Sequence, residues 1–249
     1  MDGIPRQPIS KRLRKKTCYA CHNQATGFDH VPPKFLFPEY ADLGHKYGDL
    51  RRGLLTVPSC DTHNTDATGD DTYFVISVVG CIRNNQIAQD HFDTKIRRSI
   101  DEDPQVAKWY AEMVLGDTGP RRQVGTLDRE RLDRATNKIV KGLYYKITGR
   151  KIISDEVSGI LYLDLYDADL SVLGIYRAAE AQMKKHEKFW IHYKSESPKI
   201  FKADYFLDIS NARRIAFKLQ FYEGFRIWVV HEGTTDDTVS VREAGLVRE

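Results

Sequence analysis

Apolar residues recur at roughly 3.6-residue spacing through the middle of the chain, which predicts helices over 86–100 and 105–115. A further amphipathic helix is expected over 127–148, with Leu132, Ile139, Leu143 and Ile147 near one face and Gly149 ending it. Residues 70–82 also read as a helix, with Asp70 and Asp71 in the first turn, where the helix dipole favours carboxylates. Toward the C-terminus the period falls to two. After a helix over 176–188, strands are expected at 189–193, 201–209, 215–222 and 225–231. Phe217, Leu219 and Phe221 alternate with Lys218 and Gln220, and Glu223-Gly224 marks the clearest hairpin. Nearer the N-terminus, Leu54-Leu55-Thr56-Val57 is a short β-prone run ending at Pro58. The preceding stretch, 35–52, carries Pro38, Gly44 and Gly48 and reads as a loop-rich insertion with one helical turn at 35–38. Residues 116–125, with Pro120 and several glycines, are the best linker, and 234–249 reads as a loose tail.

Composition adds bounds. The chain has 249 residues, 41% of them hydrophobic and 29% charged, as in ordinary globular proteins. A formal charge of +3 says little, but its distribution says more: Lys11, Arg12, Arg14, Lys15 and Lys16 stand together. Such an arm suits phosphate neutralisation, and equally a solvated leader over 1–16. Four cysteines in a chain this long do not make a disulfide framework. No apolar run approaches the roughly 20 residues of a membrane span, so the expectation is a cytoplasmic protein with no membrane association.

Three of the four cysteines fall into two short pairs, Cys18-x-x-Cys21 and Cys60-x-x-His63, while Cys81 reads as a buried, inert thiol. Two chelating pairs with one shared spacing suit a closed tetrahedral Zn²⁺ site that ties together distant segments. His22 competes for the first pair, but the common spacing favours Cys21. Between the pairs lies Asp29-His30-Val31-Pro32-Pro33, and Asn64 follows His63 directly. On a strand, adjacent Asp29 and His30 point to opposite faces. Alone the dipeptide would read as a surface turn; its place between the zinc pairs is what singles it out.

The order Cys-x-x-Cys, Asp-His, Cys-x-x-His-Asn resembles the HNH nuclease family with its ββα-metal core, over roughly a quarter of the chain. The resemblance implies a zinc-stabilised HNH-like nuclease domain over 17–100. The hydrophobic patterning adds a helical connector over 101–150 and a small antiparallel α+β accessory unit over 151–249, in which no family is recognised, for an α+β fold as a whole. The resemblance implies a hydrolase cutting DNA phosphodiester bonds, with Asp29 and Asn64 binding Mg²⁺ or Mn²⁺ and His30 as general base. It also implies an ATPase or sensor subunit as partner in an anti-phage defence system. Two departures stand out. The family's middle Asn has no counterpart in Asp49-Leu50-Arg51-Arg52-Gly53, and the helix after Asn64 lacks the further His many members carry. Asp66, Asp70 or Asp71 could serve as an additional ligand, although aspartates at helix starts are more often caps.

The remaining candidates are weaker. His45, His91, His186, His192 and His231 show no partner spacing and read as surface or packed side chains. Aromatic residues of the C-terminal strands could stack bases, though a core role is the simpler reading. Arg51 and Arg52 read equally as phosphate contacts or surface charge. Two rivals to the DNA nuclease remain: a zinc-stabilised nucleic-acid- or protein-binding module without catalysis, and a ribonuclease, since the site's chemistry does not read the sugar.

Overall fold

The computed structural model describes residues 13, 15–65, 68–115, 127–153, 159–164, 181, 184, 187–208 and 214–232. A hairpin followed by helices comes first among the described elements. Strand β1 (Gly27–His30) pairs antiparallel with β2 (Thr56–Ser59), aligning Asp29 with Val57 and His30 with Thr56. Two helices follow directly, α2 (Asp61–Asn64) and α3 (Thr68–Val79). Between the strands lie a 3₁₀ turn at Lys34–Leu36 and helix α1 (Tyr40–Tyr47). That helix corrects the loop-rich reading of 35–52. Pro38 precedes its start and Gly48 lies one residue past its end, so both punctuate rather than break it. Strand β2 also runs one residue beyond Pro58; a two-stranded ladder has only edges, where a residue lacking an N–H is tolerated.

Helix α3 is buried on all sides from Tyr73 to Val79, as expected of a helix central to the core. Helices α4 (Gln86–His91) and α5 (Arg97–Glu102) are joined through a π-helical turn at Phe92–Ile96, and α6 (Pro104–Leu115) follows. The long α7 (Arg129–Thr148) is capped by the Asp128 side chain at one end and by left-handed Gly149 at the other. It packs along α3 and against β2. The expected linker at 116–125 and tail at 234–249 lie outside the described residues, as does most of the helix expected at 176–188.

Among the described residues, five antiparallel strands form the second sheet, in the order β3-β7-β6-β5-β4. They are β3 (Gly159–Tyr162), β4 (Ile191–Tyr193), β5 (Phe201–Leu207), β6 (Arg214–Phe221) and β7 (Phe225–Glu232). The strand β3 is new relative to the sequence reading; four residues are too few to show an alternation. Period-two burial puts Ile215, Phe217, Leu219 and Phe221 of β6 inside, alongside Ile227 and Val229 of β7. Phe221 meets Phe74 of α3 edge-on, with ring centroids 5.4 Å apart. The β6–β7 turn docks on the turn after α3: a Cβ on Gly224 would lie 2.4 Å from the Arg83 carbonyl, so no larger residue fits. Buried side chains of hairpin, helices and sheet make one contiguous hydrophobic cluster.

Candidate functional site

The two cysteine pairs meet. Cys18 and Cys21 flank the bend before β1, and Cys60 and His63 flank the step from β2 into α2, so the hairpin register brings them together. Their ligand atoms all lie within 4.8 Å of one another. Cys21 Sγ is 3.8 Å from Cys60 Sγ, and Cys60 Sγ is 3.2 Å from His63 Nδ1. The edge of a tetrahedron with Zn–S bonds near 2.3 Å is about 3.8 Å, so this Cys3His group could hold a metal ion and is consistent with structural zinc. Burial would raise the Cys18 thiol, but the backbone N–H groups of Ala20 and Cys60 and the neighbouring thiols bring it below its ordinary value. Burial, reinforced by the charge of Cys18, pushes Cys21 up to about 11 against the pull of the Asn23 amide. Three neighbouring thiols cannot all ionise without a cation between them. His22 is exposed and outside the group. Cys81 is only half-buried, and burial raises its thiol.

The Asp-His pair sits on β1 with its side chains to opposite faces, as the strand period requires. Asp29 is buried and His30 half-buried. A Cβ placed on Gly27, which shares the Asp29 face, would lie 3.6 Å from Asn64 Nδ2. Asp29 and the Asn64 amide are therefore associated with the same face of β1, while His30 occupies the other. Burial lowers the His30 imidazole, and Lys34, Arg51 and Lys138 push the same way against the opposing charge of Asp29. The ring is accordingly neutral near pH 7, the form able to accept a proton.

The Asp29 face is closed by α7. Lys138 Nζ lies 3.0 Å from Asp29 Oδ2 and 2.5 Å from Asp71 Oδ2 on α3. Burial raises both carboxyls, Asp71 to about 6, and Lys138 draws them back. Four residues further along α7, Gly142 faces Val31, two residues beyond Asp29. Asp29–Lys138 and Val31–Gly142 are thus successive rungs of one strand–helix contact. Of the other aspartates considered as ligands, Asp70 is bound to Arg131 and Arg134 at 3.0 and 2.6 Å, and Asp66 lies outside the described residues.

The sequence reading missed Lys138. A signal was present: it stands at helical spacing between Ala135 and Gly142, small residues that permit a close approach. Arg51 is structural, donating to the Phe37 carbonyl at 2.8 Å and facing Glu39 at 3.4 Å. His91 and His231 are buried, whereas His192 is exposed beside Asp204. Trp190 has Lys218 4.2 Å above its ring, and most other aromatics of the sheet belong to the core. Among the described residues no helix is long and apolar enough to cross a membrane. No protein-family model, curated protein or solved structure matches the chain.

Proposed function

We propose that this chain is a metal-dependent endonuclease of the ββα-metal type acting on DNA. One observation supports the reading: a Cys3His group spanning a hairpin and its following helix, with Asp29 and His30 on the strand between its two pairs and Asn64 directly after His63. Asp29 and Asn64 would hold Mg²⁺ or Mn²⁺, since a carboxylate and an amide oxygen suffice for an ion that keeps several waters. When bound, such an ion offers charge stabilisation to the scissile phosphate and the leaving oxygen. His30, neutral at physiological pH, accepts the proton of the attacking water, and its half-buried setting keeps the ring in that form. The basic residues before Cys18 supply attraction for the backbone of the nucleic acid. Service as an anti-phage effector beside an ATPase or sensor subunit belongs to the same proposal and rests on the family resemblance alone.

The test is plasmid nicking with Mg²⁺ or Mn²⁺ by the wild type, Asp29→Ala and His30→Ala, with structured RNA as parallel substrate. His30→Ala should lose at least about a hundredfold in rate while keeping zinc and fold. Cleavage by His30→Ala at the wild-type rate would remove the base. A second reading, a zinc-stabilised binding module without catalysis, draws on the contact between Lys138 and Asp29. Nucleic-acid binding without cleavage in any divalent cation would favour it, and cleavage of RNA alone would make the enzyme a ribonuclease.

A further inference from the structure

Among the described residues, two carboxylates, Asp29 and Asp71, and one ammonium, Lys138, meet between the hairpin, α3 and α7, which leaves one negative charge over. Asp29 and Lys138 have side chains 7% exposed and Asp71 14%, so water does little to offset the imbalance. Asp71 Oδ1 is buried without a partner, and Asp29 Oδ2 has only the Lys138 ammonium at 3.0 Å, which Asp71 shares, an arrangement that ionised oxygens adopt only at a cost. The nearby guanidiniums offer no relief, because Arg131 and Arg134 are held by Asp70. Two buried carboxylates on different elements, converging on one cation and still short of positive charge, have the make-up of a site for a hard divalent ion.

We propose that Asp29 and Asp71 together form a divalent-cation site and that Lys138 is the resident cation guarding it, displaced when Mg²⁺ or Mn²⁺ binds. The inference rests on the metal-binding role of Asp29 proposed above; it adds Asp71 as a ligand and Lys138 as a competitor. The chemistry favours exchange over sharing. An ammonium and a divalent ion on the same oxygen repel each other strongly in a dry site. Magnesium draws its oxygens in to about 2.1 Å, closer than an ammonium can. Lysine suits the role, since its ammonium rides on a flexible four-carbon stem and can swing away while α7 stays in place. The protein then carries its own counter-ion when divalent metal is scarce, and the two carboxylates need not separate to avoid each other.

The experiment is Mn²⁺ binding, followed by the electron paramagnetic resonance of the free ion, on zinc-loaded full-length protein. Lys138→Met should bind Mn²⁺ at least about tenfold more tightly than wild type, with zinc content and circular dichroism unchanged, and adding Asp71→Asn should take that gain back. Unchanged or weaker binding by a folded Lys138→Met overturns the guard, and a gain that survives Asp71→Asn overturns the second ligand. If Lys138→Met does not fold, the wild type serves. Acetylation of Lys138 by acetic anhydride, read by mass spectrometry, should rise several-fold when Mn²⁺ is added; no rise overturns the proposal. Nicking that depends on Asp29, with no effect of Lys138 on Mn²⁺, keeps the nuclease and sinks the guard. The Lys138 effect without cleavage of any nucleic acid does the reverse.

Discussion

Gly142→Ala is the sharpest probe of how α7 holds the hairpin. A Cβ at Gly142 would lie 2.6 and 2.8 Å from the two γ-methyls of Val31, which is itself 2% exposed. Carbon atoms in contact prefer about 3.5–4.0 Å, so strand and helix must part by roughly 1 Å. Overpacking of this kind costs about 1–3 kcal/mol, while alanine returns about 1 kcal/mol of helix propensity, for a net loss of roughly 1–2 kcal/mol. Val31→Ala alone should cost about 2 kcal/mol in lost burial and cavity. In its background the steric conflict disappears, so Gly142→Ala should become neutral or stabilising by up to about 1 kcal/mol. Urea unfolding of the four zinc-loaded proteins gives the cycle, with an expected coupling of roughly 2 kcal/mol. Because Asp29–Lys138 is the neighbouring rung, the single Gly142→Ala variant should also loosen that ion pair. Additivity within about 0.5 kcal/mol would refute the close approach of helix and strand.

Metal analysis should find roughly one zinc per chain, and Cys60→Ala should abolish it, with loss of protection from proteolysis around β1 and α2. Full retention of zinc in Cys60→Ala would exclude the Cys3His group as its site. A second test concerns pH. His91 is fully buried: Nδ1 lies 2.8 Å from the Tyr222 hydroxyl, which donates in turn to the Leu36 carbonyl, and Nε2 has no partner. Burial, with help from Arg51, holds the imidazole down to about 3. The folded value lies below the unfolded one of about 6.5, so the unfolded chain takes up more protons between them. Stability is therefore fully present above about pH 6.5 and falls as the pH drops toward 3, by roughly 1 kcal/mol per unit. His91→Phe should flatten this dependence in urea unfolding between pH 7 and 5; an identical slope in both proteins would show that His91 does not cause it.

The C-terminal strands were legible because their burial alternates, and the longer helices because their apolar residues recur at helical spacing. The alternation in β6 records a single packed face, whereas the 3.6-residue apolar stripe of α7 marks only part of a helix that is buried all round over 135–144. Helix α1 was not legible, because Pro38, Gly44 and Gly48 carry the composition of a loop, although only Gly44 lies within the helix, where it faces the Tyr40 ring. At the site, the Cys-x-x-Cys and Cys-x-x-His pairs could be read directly, since chelation by a short turn needs fixed spacing. The partner of Asp29 could not. Lys138 stands 109 positions further along, and its meeting with Asp29 depends on how α7 crosses the hairpin, which no local pattern encodes.

Two separate devices therefore set the two halves of the candidate site. The Cys3His group joins the bend before β1 to α2, which carries Asn64 beside Gly27, and a metal held there would fix the two together. Packing of α7 fixes the far end of β1, where Asp29 meets Lys138 and Val31 meets Gly142. A clasp alone would orient the amide but leave the carboxylate on a two-stranded ribbon, and such a ribbon has little stability of its own in water. Helix α7 supplies both the support and the counter-charge. In the proposed site the helical region contributes Lys138 and the packing behind β1. For that reason a fragment ending near residue 100 would keep both cysteine pairs and the Asp-His motif, yet lack Lys138 and the packing surface of Val31.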